Sequence, residues 1–254
     1  MDKYSGDPIT ADDYEDAARA LGCKVNAVKA VHLTEVGPGS FTVVDGRTVP
    51  KILYERHYFY RLCGGKYWDT NPDLSFPVGY YRMGTKYVKK TETLTKSDGT
   101  PEDVSLWVRL SRNASKDQAA MAETGKQLLS ERVLTKERDT YGTFSYRRLR
   151  KAFKLDATAA LESCSWGAFR IMGSNYKSLG YASVQEMVRD LSRSERPHLK
   201  GFVNFVKTDP ILLKALQHQD FTIFAARYNG PEYKENDYDG VMKRHFDELE
   251  KSGK

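Results

Sequence analysis

Apolar positions recur at helical spacing along most of this chain, and β-rich runs stand out in one early stretch. Tyr14, Ala17, Ala18 and Leu21 fall on one stripe of a helix. Thr10 suits its N-cap, Asp13 three residues on forms a weak capping box, and Gly22 fits the stop. The pattern predicts a second helix from about Lys24 to Glu35. Val28 and Val31 precede Glu35 by seven and four residues, so all three share a face. Gly37-Pro38-Gly39 ends it. The runs FTVV and RTVPKILYE flank Asp45-Gly46, a strong hairpin signal. Pro50 gives the second strand a free edge.

Residues from about 78 to 140 change character. KKTETLTKSDGTPEDVSLWVRL reads as a polar hairpin and ASKDQAAMAETGKQLLSERV as a helix. Together they read as an insertion packed on the main body. From Phe144 the pattern is helical to the end. Ser183 with Glu186 forms a capping box, and Asp209-Pro210 is an N-cap followed by proline. Asp220 starts FTIFAARYN, and Gly230-Pro231 stops it. The expected fold is α+β and mostly helical: one domain over 1–254, with a small antiparallel sheet or hairpin and an inserted subregion at about 78–140.

Composition narrows the picture modestly. The 254 residues are 40% hydrophobic and 12% aromatic, enough for a real core. Forty Lys+Arg against 34 Asp+Glu give a net charge of +6, which suits an anionic partner such as nucleic acid, a membrane surface or a bacterial envelope. The charges are too interspersed to favour nucleic acid. Cys23, Cys63 and Cys164 are too few and scattered for a disulfide framework or zinc site, so they read as reduced thiols made in a cytosol. No signal peptide or membrane-spanning run is visible.

Glu35 stands out chemically. It sits on an apolar face at a helix C-terminus, where burial and the helix dipole both disfavour the carboxylate. A carboxyl kept protonated near neutral pH is what glycosidic cleavage needs from its general acid. An exposed residue at a fraying helix end is the bland alternative. Glu55 ends the second hairpin strand, where it could be a second carboxylate or a structural ion-pair partner of Arg56 or another basic group. Asp45 sits at a turn that favours Asp for backbone reasons. His57, alone among aromatics, fits a core residue better than a base. SWGAFRIMG, residues 165–173, could let its backbone approach a ligand through its glycines, or could be a packing turn between helices. Tyr228 and Asn229 offer sugar-binding groups or an ordinary C-cap. YRRLRKAFK, residues 146–154, is a basic amphipathic run, usually a solvated helix face. No zinc spacing, phosphate loop or G-x-S-x-G is present.

In order, AVKAVHLTEVGPGSF, PKILYERHYFY, NPDLSFP, SCSWGAFRIMG and FAARYNGP resemble the N-acetylmuramidase catalytic domain of endolysins from phages of Gram-negative bacteria. The resemblance covers residues 10 to about 77 and 140 to 250. More distantly the chain is similar to goose-type lysozymes and soluble lytic transglycosylases. The resemblance implies a lysozyme-like fold, Glu35 as catalytic acid and Glu55-Arg56-His57 as a strand-end motif. It also implies that Ser165, Trp166, Gly167, Phe169 and Ile171–Gly173 line the cleft, and that Tyr228 and Asn229 close it. Arg170 stands where the family pattern has Gln. The implied enzyme is a monomer that needs no metal or other cofactor and acts on peptidoglycan glycan strands, with the anionic bacterial envelope as a further partner. It would be made in the host cytoplasm and act in the periplasm, released by a holin or injected by a secretion machine. Rival readings are a lytic transglycosylase, a catalytically dead peptidoglycan-binding module and a nucleic-acid-binding protein.

Overall fold

Thr10 opens the first helix, α1 (Ala11–Leu21), with a reciprocal capping box: its hydroxyl accepts from the Asp13 N–H, and the Asp13 carboxylate accepts from the Thr10 N–H. Gly22 closes it in the left-handed conformation. The computed structural model describes residues 6–37, 39–67, 70–71, 73–75, 87–95, 101–109, 143–230 and 233–253. Helix α2 (Val25–Val36) follows, with Ala27, Val28, Ala30, Val31, His32 and Glu35 buried. Its apolar side packs on α1 and on the last helix, α10 (Tyr238–Ser252).

Strands β1 (Phe41–Val44) and β2 (Arg47–Pro50) form the expected hairpin, in register from Phe41↔Pro50 to Val44↔Arg47. Asp45 and Gly46 both have positive φ, 50° and 72°, as a tight two-residue turn of this hand requires. The second strand stops at Pro50, which corrects the expectation that it runs on to Glu55. Lys51 bridges two sheets: its N–H donates to Ser40 O at 2.7 Å, and its carbonyl accepts from Gly167 N–H at 2.8 Å. Beyond it, β3 (Ile52–Tyr54) pairs antiparallel with β6 (Cys164–Trp166), and β6 pairs with β7 (Ile171–Met172). Ile52 and Tyr54 are fully buried there. The same ladder corrects the reading of residues after Phe144 as wholly helical. Strand β6 owes its conformation to β3, a partner far away in sequence that no local periodicity reveals.

The helices from Thr143 onward carry chemically legible starts. They are α4 (Thr143–Leu155), α5 (Ala157–Glu162), α6 (Val184–Leu191), α7 (Arg196–Lys207), α8 (Pro210–Gln217) and α9 (Phe221–Tyr228). Asp156, Ser183, Asp209 and Asp220 each accept first-turn N–H groups, which contributes about 1 kcal/mol apiece. All three cysteines are free.

The chain divides into two units, residues 1–55 with 141–254, and residues 56–140. The second contains α3 (Arg56–Leu62) and the antiparallel pair β4 (Tyr87–Thr95) and β5 (Pro101–Arg109), where a polar hairpin was expected. The helix expected over ASKDQAAMAETGKQLLSERV lies outside the described residues. The architecture is thus α+β and mostly helical, with small antiparallel sheets.

Candidate active site

Glu35 occupies the last turn of α2 and is only 6% exposed. Asn229, the C-cap of α9, reaches it from the far end of the chain: its Nδ2 donates to Glu35 Oε1 at 2.7 Å. Among the described residues no hydrogen bond engages Oε2, which remains available to carry a proton. Arg170 Nε donates to the Glu35 backbone carbonyl at 3.2 Å and so satisfies an oxygen left over at the helix end. Burial pushes the Glu35 carboxyl up to about 7. The Asn229 hydrogen bond and the Arg170 charge pull the other way, and desolvation wins.

The turn that delivers Arg170 joins β6 to β7 and is fixed from below. Gly167 has φ of 62°, and a Cβ on it would lie 2.3 Å from His198 Cε1, so only glycine fits. His198 Nδ1 accepts from the Ala168 N–H at 3.0 Å, while its Nε2–H donates to Leu191 O at 2.7 Å. Those two bonds require one neutral tautomer. Burial holds the ring down at about 4, outweighing the Leu191 hydrogen bond. Trp166 Nε1 donates to Leu161 O at 3.0 Å. Phe169 stacks on His32 at 5.0 Å and on Phe202 at 4.4 Å, and each such pair contributes roughly 1 kcal/mol beyond burial. Tyr228 donates its hydroxyl to Phe169 O, tying α9 to the same turn. Arg170 itself has φ of 52°, a conformation that costs a non-glycine residue about 1 kcal/mol or more. These surrounding bonds hold it there.

The sequence profile of the N-acetylmuramidase family matches residues 24–250. The chain belongs to the N-acetylmuramidase family. Its structure is similar to the crystal structure of the Burkholderia AP3 phage endolysin, with a TM-score of 0.64 and 30% sequence identity, covering 98% of this chain and 74% of that one. Among curated proteins none matches. Membership makes peptidoglycan the substrate class of this muramidase.

The muramidase brings Glu35, Arg170, Tyr228 and Asn229 together, but Ser165, Trp166 and Phe169 are buried, and the Trp166 and Phe169 side chains serve the framework. Glu55 lies just past β3. Its N–H donates to Ser163 O at 2.8 Å, and its charge acts on Cys164 rather than on Glu35. Lys51, not Glu55, sits against Gly167; Glu55 is four residues further on, about 13 Å along an extended chain. Asp45, at the hairpin tip, is ion-paired with Arg150 from the basic run on α4. In the second unit, burial followed by the Arg61 and Arg56 charges pushes His57 down to about 4, a neutral ring at ordinary pH. Sequence reasoning missed His198, His32 and Lys51. Lys51 lies inside PKILYERHYFY, but a lysine after Pro50 announces no chemistry of its own, and His198 sits inside an ordinary amphipathic helix. Tyr14 hydrogen-bonds His32 Nδ1, and His32 Nε2 is buried with no hydrogen-bond partner among the described residues. Among the described residues no cluster of His, Cys, Asp or Glu could hold a metal ion, and no helix is long and apolar enough to cross a membrane.

Proposed function

We propose that Glu35 is the general acid of this muramidase and that the bond cleaved is the β-1,4 link between N-acetylmuramic acid and N-acetylglucosamine. The observation that carries this is one buried carboxyl, held up to about 7, with Oε1 engaged by Asn229 and, among the described residues, no hydrogen bond to Oε2. Oε2 would protonate the glycosidic oxygen as the C–O bond breaks. Water then adds to the oxocarbenium-like carbon, its hydroxyl stays on the sugar and its proton returns to Glu35. Arg170, Tyr228 and Asn229 would shape the subsite next to the scissile bond. Ser165, Trp166, Gly167 and Phe169 would hold the backbone that lines it. Glu55 is proposed as a structural partner at the strand end beside the site, and the endolysin-like role would be cleavage of periplasmic peptidoglycan during phage lysis.

A second reading is lytic transglycosylation, in which the muramyl 6-hydroxyl replaces water. It is favoured by one observation: among the described residues, no second carboxylate is one of the groups that act on Glu35. Digestion of purified sacculi followed by mass spectrometry separates the two. Reducing muramic acid ends support hydrolysis, whereas 1,6-anhydro ends, lighter by one water, replace it with the second reading. The same digest with Glu35→Gln tests the acid: activity should fall about 100-fold or more with circular dichroism unchanged. A folded variant that keeps most of its activity removes Glu35 from that role.

A further inference from the structure

Two cationic residues flank the turn beside Glu35. Lys51 is pinned by its backbone to Ser40 on one side and to Gly167 on the other. Gly167 begins the turn that Arg170 ends, and Arg170 Nε binds the Glu35 carbonyl. The Lys51 ammonium is depressed from its ordinary value by partial burial and by the Arg170 charge, so the two groups feel each other. Lys51 is half-buried, and among the described residues it has no carboxylate partner. Glu35 does not serve as a standing counter-ion, because burial keeps it protonated up to about 7.

Like charges held together in a partly desolvated place repel, and an anion arriving between them relieves that repulsion. A neutral N-acetylglucosamine ring offers no such group. The muramyl ring does: its lactyl arm ends in a carboxylate when bare, and in a peptide with carboxylates of its own when substituted. We propose, resting on the muramidase reading above, that Lys51 and Arg170 form a carboxylate-binding corner that receives the acidic arm of the muramyl unit. It would thereby set which of the two alternating sugars lies on this side of the scissile bond.

The test uses the full-length protein and two kinds of glycan strand. One is peptide-bearing, and the other is stripped by an amidase to leave free lactyl carboxylates. Each is assayed before and after carbodiimide amidation, which neutralises the carboxylates and leaves the sugars intact. Soluble product is followed by chromatography. Amidation should raise the KM of the unmodified enzyme about fivefold and change kcat little. Lys51→Gln should show the raised KM on native strands and no further rise on amidation, and Lys51→Arg should keep the lower value. The strand on which amidation acts tells whether the lactyl or the peptide carboxylate is bound. The amidation arm needs no variant, so it stands even where Lys51→Gln folds poorly. A KM indifferent to amidation on both strands overturns the corner and leaves the muramidase reading untouched. Failure to cleave any strand removes that reading, and the corner with it.

Discussion

Asn229 donates a hydrogen bond to Glu35 across 194 positions of the chain. The donor is a C-cap, and the acceptor stands on the last turn of another helix. This bond stabilises the carboxylate, yet the carboxyl stays high because burial outweighs it. The balance leaves a group that can hold a proton near neutral pH and still release it.

Glu35 should therefore set the alkaline limb of activity. The protonated form is present below about 7 and is lost above it, so kcat/KM should fall as pH rises through that value. Stability follows the same sign. The folded-state value lies above the ordinary 4.5, so the advantage of the protonated native form is complete below 4.5 and disappears as pH rises through about 7. Glu35→Gln should gain stability relative to the unmodified chain over that window, by roughly 3 kcal/mol. Urea titrations at pH 4 and pH 8 measure the gain. An equal difference at both pH values would contradict the burial of an ionisable group at this site.

Replacing Asn229 with Ala removes the one hydrogen bond to the Glu35 side chain among the described residues. The alkaline limb should move upward in pH, and kcat should fall because the acid is no longer aimed. A variant whose pH profile coincides with that of the parent would show that Asn229 only ends its helix.

For Glu55 the decisive measurement is a pair. With Glu55 as a structural ion-pair partner of a basic residue, Glu55→Gln should lower Tm by a few degrees and kcat less than tenfold. A loss of more than about 100-fold at unchanged Tm would instead identify it as the base.

His198 should give the chain an acid-labile point. Its folded-state value is depressed to about 4, so the stability it contributes is present above 6.5 and fades as pH falls towards 4. His198→Gln should be less stable than the parent at pH 7, since it disturbs the bonds to Ala168 and Leu191. That difference should shrink by pH 4, as read from urea midpoints. A constant gap would mean that the ring is not held neutral.

Much of the frame was legible because it is local. Thr10, Ser183, Asp209 and Asp220 announce helix starts through the hydrogen bonds their side chains can make within one turn. Asp45-Gly46 announces its hairpin through the positive φ that only a few residues accept. Glu35 was legible as a buried acid because Val28 and Val31 share its face, and periodicity reports burial. What the tertiary structure alone decided is which groups meet that acid. Residue spacing does not foretell that β3 leaves its hairpin for β6, that His198 lies under Gly167, or that Lys51 and Arg170 flank one turn. Those meetings depend on how whole helices and sheets bury their apolar faces against one another. That free energy is summed over the entire core and leaves no local trace in sequence.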